Sequence, residues 1–449
     1  MTTLKFALLS CVSAACIGTT SPAFAQSGDA EMEALRAEVA ALKEQLATIS
    51  AKLDTVAAAP VKPIPAAPAP EKKGGPEIKF KGAPEISTAD GWSFKPRGRI
   101  QYDAATVSAP NAIINDGKGF SNEVRRARLG VEGTMPGGFG YKFELDFAEG
   151  GAEFTDAFLN YKDGGLTITA GQHNNFQSLE ELSSSNETSF IERSAFTDAF
   201  GFERRAGLSA QYKAGDFLGQ MGVFTDDFSA LSNDGNDTIG VDGRAVFMPK
   251  FGETQAHFGA SYHWRDLGDT LTSARYRQRP LVHSTDIRFI DTGTLSGAKS
   301  ESSYGLEAAL ISGRFHAAAE GHWQKLNRTG FADPTFFGGS IEGGIFLTND
   351  KREYKDGIFK AIKVKNPVGK NGFGALQFNV RYDYLDLVDA GIIGGVQNSY
   401  QASLIWTPID YVRFMLNYGK LSYTDAAIAA AGDRDYQVDV VGARAQISF

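Results

Sequence analysis

Cysteine is almost missing from this chain of 449 residues: Cys11 and Cys16 are the only two, and both lie in an N-terminal apolar segment. Lys5 precedes the run Phe6 to Ile17, and Ala23-Phe24-Ala25 closes it in the small-residue style of a cleavage site, so residues 1–25 are expected to be a secretory signal peptide. Leu8-Leu9-Ser10-Cys11 faintly resembles a lipoprotein box, with a very short apolar run before it. The mature chain then carries no thiol, which excludes a disulfide scaffold, thiol catalysis and Cys-ligated metal. Surplus positive charge is missing too. Lys and Arg number 45 against 53 Asp and Glu, a balance that argues against nucleic-acid partners. Beyond Trp92 there is no amphipathic helix and no apolar run long enough to cross a membrane as one.

Signs of metal or enzyme chemistry are equally thin. His257 and His263 share a strand face but lie roughly 20 Å apart along it, too far to hold one ion. Asp226, Asp227, Asp234, Asn236 and Asp237 miss the spacing of a helix-loop-helix calcium site. No nucleophile–base motif stands out, so neither an enzyme nor a cofactor is expected.

Two patterns are present. From Asp29 to Val56, Met32, Val39, Leu46 and Leu53 fall at heptad position a, and Leu35, Leu42, Ile49 and Val56 at d. The g-to-e pairs Glu31 with Arg36 and Glu38 with Lys43 have opposite signs, as a parallel in-register coiled coil requires. Residues 29–56 are therefore expected to self-associate in the periplasm. The Pro/Ala-rich stretch that follows predicts an extended linker over 57–91.

From 92 to 449 the second pattern takes over. Phe139, Tyr141, Phe143, Leu145 and Phe147 alternate with Lys142, Glu144 and Asp146, because side chains on a strand point to opposite faces in turn. The preceding segment alternates likewise across the Pro136-Gly137-Gly138 turn. Segments of about ten residues with this alternation recur down the chain, and long polar connections mostly follow odd strands while short ones follow even strands. That is the pattern of an outer-membrane β-barrel. The fold expected is an all-β transmembrane barrel of about 16 antiparallel strands preceded by a helical coiled coil, with Tyr276 to Phe289 as the segment that could add one more. The terminal Phe449 points to delivery by the barrel assembly machinery, with outer-membrane lipid around the finished wall.

A barrel of this width should enclose a water-filled lumen, so function depends on its lining. Alternation turns Arg97, Arg99, Arg126, Arg128, Arg205, Arg244, Arg265, Arg381, Arg413 and Arg444 inward. Arginine keeps its charge and offers a fork of donors matched to oxyanions, so such a lining favours anions. Lumenal acids such as Glu132, Glu144, Asp146, Glu307, Glu320 and Asp383 could instead pair with them and merely satisfy the wall. In the 172–203 connection, Glu180, Glu181 and Glu192 accompany the single Arg193. An acidic loop opposite an arginine wall would suit a broader porin. A third alternative makes the barrel an anchor for a tethering coiled coil.

Several motifs carry a resemblance. Arg125-Arg126-Ala127-Arg128-Leu129-Gly130, Asp156-Ala157-Phe158-Leu159-Asn160-Tyr161, Gly171-Gln172 leading to Ser178-Leu179-Glu180-Glu181-Leu182, Glu192-Arg193-Ser194, Arg204-Arg205, Arg288-Phe289-Ile290-Asp291-Thr292-Gly293 and Phe346-Leu347-Thr348-Asn349 together resemble the phosphate-selective porin O and P family. The resemblance implies a trimeric 16-stranded outer-membrane porin whose third and fifth outer loops fold inward and whose arginines attract phosphate. Carried over, Arg125 and Arg126 match the paired arginines of the second strand, and Arg204 or Arg205 those before the sixth. Alternation would turn Arg125 outward, which places it at the rim or on a bulge.

Overall fold

The computed structural model describes residues 28–57, 75–148, 150–232 and 236–449. The expected signal peptide and most of the linker lie outside the described residues. Gly28–Ala57 is one 30-residue helix, and it forms a unit separate from Lys72–Phe449. The side chains described on its apolar seam, Val39, Leu42, Leu46 and Ile49, are all exposed. The stretch read as the end of the linker is partly folded: Glu77–Lys81 pairs with Ala83–Ser87, and Ile86 continues the pairing onto Phe94.

Sixteen strands then close a barrel. They are β1 (Ser93–Ser108), β2 (Gly119–Met135), β3 (Phe139–Asp146), β4 (Glu153–Asp163), β5 (Leu166–Asn174), β6 (Arg204–Ala214), β7 (Phe217–Phe224) and β8 (Ile239–Phe247), followed by β9 (Thr254–Asp266), β10 (Ala298–Ser312), β11 (Phe315–Arg328), β12 (Thr335–Phe346), β13 (Ala375–Asp389), β14 (Ile392–Ile409), β15 (Val412–Thr424) and β16 (Tyr436–Ser448). Each pairs antiparallel with its sequence neighbour, and β16 returns to β1, from Asp439 opposite Ser108 to Ser448 opposite Arg99. Gly98 and Phe449 exchange both backbone hydrogen bonds at the seam. A Cβ on Gly98 would meet the Phe449 ring at 2.2 Å, so only glycine lets the terminal ring lie flat there.

Burial is inverted relative to a water-soluble sheet. Asn379, Asp383, Gln397 and His322 are fully buried inside, whereas Val380, Tyr400 and Leu404 are exposed on the outer wall. Polar groups cost free energy in hydrocarbon unless paired, and a closed ladder leaves no edge, so this arrangement belongs in a bilayer. Rings form a belt near one end of that wall: Tyr262 beside Tyr304, Trp323 beside Phe337, and Phe337 beside Tyr384. Among the described residues no helix is long and apolar enough to cross a membrane.

The connections decide what the strand pattern left open. Tyr276 to Phe289 adds no barrel strand; Arg277–Gln278 pairs with Ile290–Asp291 in a short hairpin within the fifth outer loop. The lumen is not open throughout, because the outer loops build an apolar core inside it, with Phe196, Phe200 and Phe202 of the third loop against Tyr276, Leu281 and Phe289 of the fifth. The connection after β12 is long and basic although it follows an even strand. Its hairpin, Glu353–Lys355 with Ile358–Lys360, enters the barrel, where Arg244 donates to the Gly357 carbonyl at 2.9 Å and the Phe359 amide donates to Ser183 Oγ at 3.1 Å.

Candidate functional site

The third outer loop, residues 175–203, is held across the lumen by the far wall. Glu320 accepts from the Leu179 and Glu180 amides at 2.9 and 2.8 Å, and Asp383 accepts from the Ala195 amide at 2.8 Å. Arg381 binds Glu180 and Glu342 and lies over the Phe190 ring at 4.2 Å. Arg413 donates to the carbonyls of Asn186 and Thr188, the latter at 2.8 Å. These contacts press the loop toward β11–β16 and leave space on the side of β1–β6.

That space has two parts. An inner chamber of about 800 Å³ opens toward the periplasmic turns and is lined by Arg97, Arg99, Arg126, Arg128, Lys142, Arg204 and Lys360, against Glu144, Asp156, Glu187 and Asp410. An outer chamber of about 200 Å³ lies under the fifth loop, lined by Arg125, Arg126, Glu192, Arg193, Asp198, Gln278 and His283 among others. Arg126 and Arg193 border both. A passage from one chamber to the other would have them as its throat.

Most lumenal arginines are paired. Arg97 binds Glu132 at 2.8 Å; Arg128 binds Asp146 at 2.7 Å and Glu144 at 3.3 Å; Arg204 binds Asp156 at 2.7 Å, on the far side of which sits Lys142. Arg99 and Arg126 are different. Arg99 donates to Ser185 Oγ at 2.7 Å and Ser184 Oγ at 3.4 Å, and Arg126 to Gln101 Oε1 at 2.9 Å. No carboxylate among the described residues lies within ion-pair distance of either, and the Nε of each is buried without a partner. A guanidinium held by neutral acceptors has no bonded countercharge to compete with an ion in the chamber.

The consecutive pair Arg125-Arg126 reaches the lumen through a bulge. Gln101 pairs with Arg126 and Tyr102 with Val124, so Arg125 is the extra residue. It turns inward and binds Glu192 at 3.0 Å, and Arg444 binds the same carboxylate at 3.0 Å while gripping Asp103 with two bonds of 2.7 Å. Burial pushes the Glu192 carboxyl up, but Arg125, Arg126 and Arg444 outweigh it and hold it well below the ordinary range.

The loop acids present little free charge to the path. Glu180 is bound by Arg381, Glu192 by Arg125 and Arg444, and Glu181 by Arg193 at 3.2 Å. Arg193 also caps three carbonyls, those of Glu180, Glu181 and Ser183. Glu187 and Asp198 remain facing the inner and outer chambers. Other predicted pathway residues lie elsewhere. Arg205 and Arg265 share Asp226, and Arg244 is locked to Glu307 at 2.7 Å; like Arg381, these line neither chamber. Sequence reading missed Gln278, and it put Gln101 and Lys142 on the polar strand faces without giving them a role. Lys142 was visible on the charged face of β3, but nothing in its surroundings in the chain told it apart from Glu144 and Asp146.

Comparison with known proteins gives a consistent picture. A family model described as phosphate-selective porin O and P matches residues 94–449. An uncharacterized protein of Caulobacter vibrioides is 49% identical over 371 residues, covering 81% of this chain and 75% of that protein. Among solved structures, an anion-selective porin from Comamonas acidovorans aligns with a TM-score of 0.52 at 13% identity, over 80% of this chain and 100% of that one. The outer membrane protein OmpT of Vibrio cholerae in its trimer form gives 0.52 at 10% identity over 80% and 100%, and OmpF of Salmonella typhi 0.51 at 13% identity over 81% and 100%. These structural matches share the fold.

Proposed function

Since this chain belongs to the phosphate-selective porin O and P family, we propose that it is an outer-membrane porin passing small anions, phosphate foremost, along its arginine-lined side. The observation that carries this reading is the pair Arg99 and Arg126, which have no carboxylate partner among the described residues and face a chamber whose charged lining is mainly cationic. An anion entering from the outer mouth meets Arg125 and Arg193, each already paired, then Arg126 at the throat, then Arg99 with Arg128, Lys142 and Arg204 below. Fixed donors in a partly dehydrated passage replace the water an anion sheds. Charge at the inner mouth raises the local anion concentration.

Residues 29–56 are read as a parallel periplasmic coiled coil joining copies of the chain, three if the porin is a trimer. The support is the heptad pattern and the exposed seam Val39, Leu42, Leu46 and Ile49, which needs a partner helix to leave water. Planar-bilayer recording tests the channel reading. Stepwise conductance with chloride current reduced by added phosphate is expected; a non-conducting barrel would leave the tethering helix as the working part.

A further inference from the structure

The two chambers differ in what their walls leave unsatisfied. Arg126 borders both, but only the outer chamber also holds Gln278, Leu281 and Val282, each less than a tenth exposed. Gln278 Oε1 is buried without a donor. Its position is fixed, because Gln278 pairs with Ile290 in the loop hairpin and the next amide, of Arg279, donates to Asp198. The chamber thus presents one guanidinium without an ion-pair contact among the described residues, one unpaired carbonyl-type acceptor with the Asp198 carboxylate nearby, and an apolar flank.

Inorganic phosphate matches the first of these best. Its one or two hydroxyls near neutral pH sit on the same small centre as its charged oxygens, so turning one toward Gln278 brings that charge toward Asp198, and it gains nothing from Leu281 and Val282. A ligand that combines an oxyanion with hydroxyl donors on a short carbon chain matches all three. The space, about 200 Å³ where bulk water takes ~30 Å³ per molecule, suits a small skeleton.

We propose that the outer chamber is a recognition site for small hydroxylated organic anions, with the oxyanion on Arg126, a hydroxyl donating to Gln278 Oε1 and the carbon chain against Leu281 and Val282. This rests on the anion path proposed above and adds a substrate class to it.

The test uses full-length protein in planar bilayers, with chloride current recorded while glycerol 3-phosphate, glycerate or inorganic phosphate is added on the loop side. Glycerol 3-phosphate or glycerate is expected to block at lower concentration than phosphate. Gln278→Leu is expected to raise the half-blocking concentration of the responding organic anion about five- to tenfold, as loss of one hydrogen bond to a buried acceptor implies. The block by inorganic phosphate should stay unchanged. Which of the two organic anions responds tells whether the site takes a phosphate ester or a carboxylate. If Gln278→Leu barrels do not insert, Gln278→Met keeps the length of the side chain without its oxygen or a charge, and the same selective loss is expected. Equal organic-anion block in wild type and variant overturns this site while leaving the phosphate path intact. Absence of phosphate block in the wild type overturns the path itself.

Discussion

Arg126 and Gln101 face each other across β2 and β1, and the arginine donates to the amide oxygen at 2.9 Å with no carboxylate among the described residues within ion-pair distance. The contact orients the guanidinium and gives it no bonded countercharge. At an effective dielectric of about 20, one charge acting on an ion ~5 Å away is worth about 3 kcal/mol before screening. Arg126→Ala and Arg99→Ala should therefore weaken phosphate block and anion preference several-fold each without altering insertion, read from half-blocking concentration and reversal potential. Unchanged values in both variants would remove these residues from the path.

Arg381 should behave differently. It ties Glu180 of the third loop to Glu342 of β12, and removing one partner of a buried ion pair costs roughly 3–5 kcal/mol because the other charge is stranded. Arg381→Ala should lower the temperature at which the folded barrel loses its compact gel mobility and make single-channel current noisier. Wild-type heat stability with steady current would show that the loop is held by its other contacts.

Strand positions were legible because period-two alternation reports which face meets lipid, and that rule needs no knowledge of neighbours. β9 shows it well: His257 and His263 are buried inside while Phe258 and Tyr262 stand on the wall. The loops obey no such period. Phe196, Leu281 and Phe289 meet in one core though drawn from two loops distant in the chain, and nothing local to any of them announces the others. For the same reason the lumenal arginines could be found but not sorted. Whether Arg99 or Arg244 has a carboxylate opposite depends on which strands adjoin and how the third loop crosses. The bulge at Arg125 was one of two readings that its outward parity allowed, and the shift in pairing after Gln101 decides between them.

Acid should increase anion preference. Burial raises the Glu181 carboxyl above its usual 4.5, against the pull of Arg193 and Arg204, so Glu181 takes up its proton early as pH falls and stops cancelling Arg193 at the throat. For stability the sign is the same: ionised Glu181 costs the folded state, so its contribution is complete below the unfolded pKa and is lost as pH rises through the folded one. Glu192, whose value is depressed, contributes above its unfolded pKa and loses this only as pH falls through the depressed value, so its tie to Arg125 outlasts mild acid. Reversal potentials recorded from neutral pH down toward 4.5 should move in the anion direction, and Glu181→Gln should remove the early part of that movement. A shift toward cations would contradict the assignment.

Deleting residues 29–56 should leave barrels that still insert and conduct, since the helix and the barrel are separate units. Association should be weaker, seen as earlier dissociation in detergent. The isolated peptide, crosslinked at high concentration, should give dimers or trimers; monomer alone would count against a coiled coil.

The reversal potential of the unmutated protein in a salt gradient across a planar bilayer tests the account most directly. Arg99 and Arg126, held by neutral acceptors beside a mainly cationic inner chamber, predict an anion-selective sign, with chloride current falling when phosphate is added. A cation-selective sign would mean that Glu187, Asp198 and the other acids of the third loop govern the passage, and the anion path would be wrong.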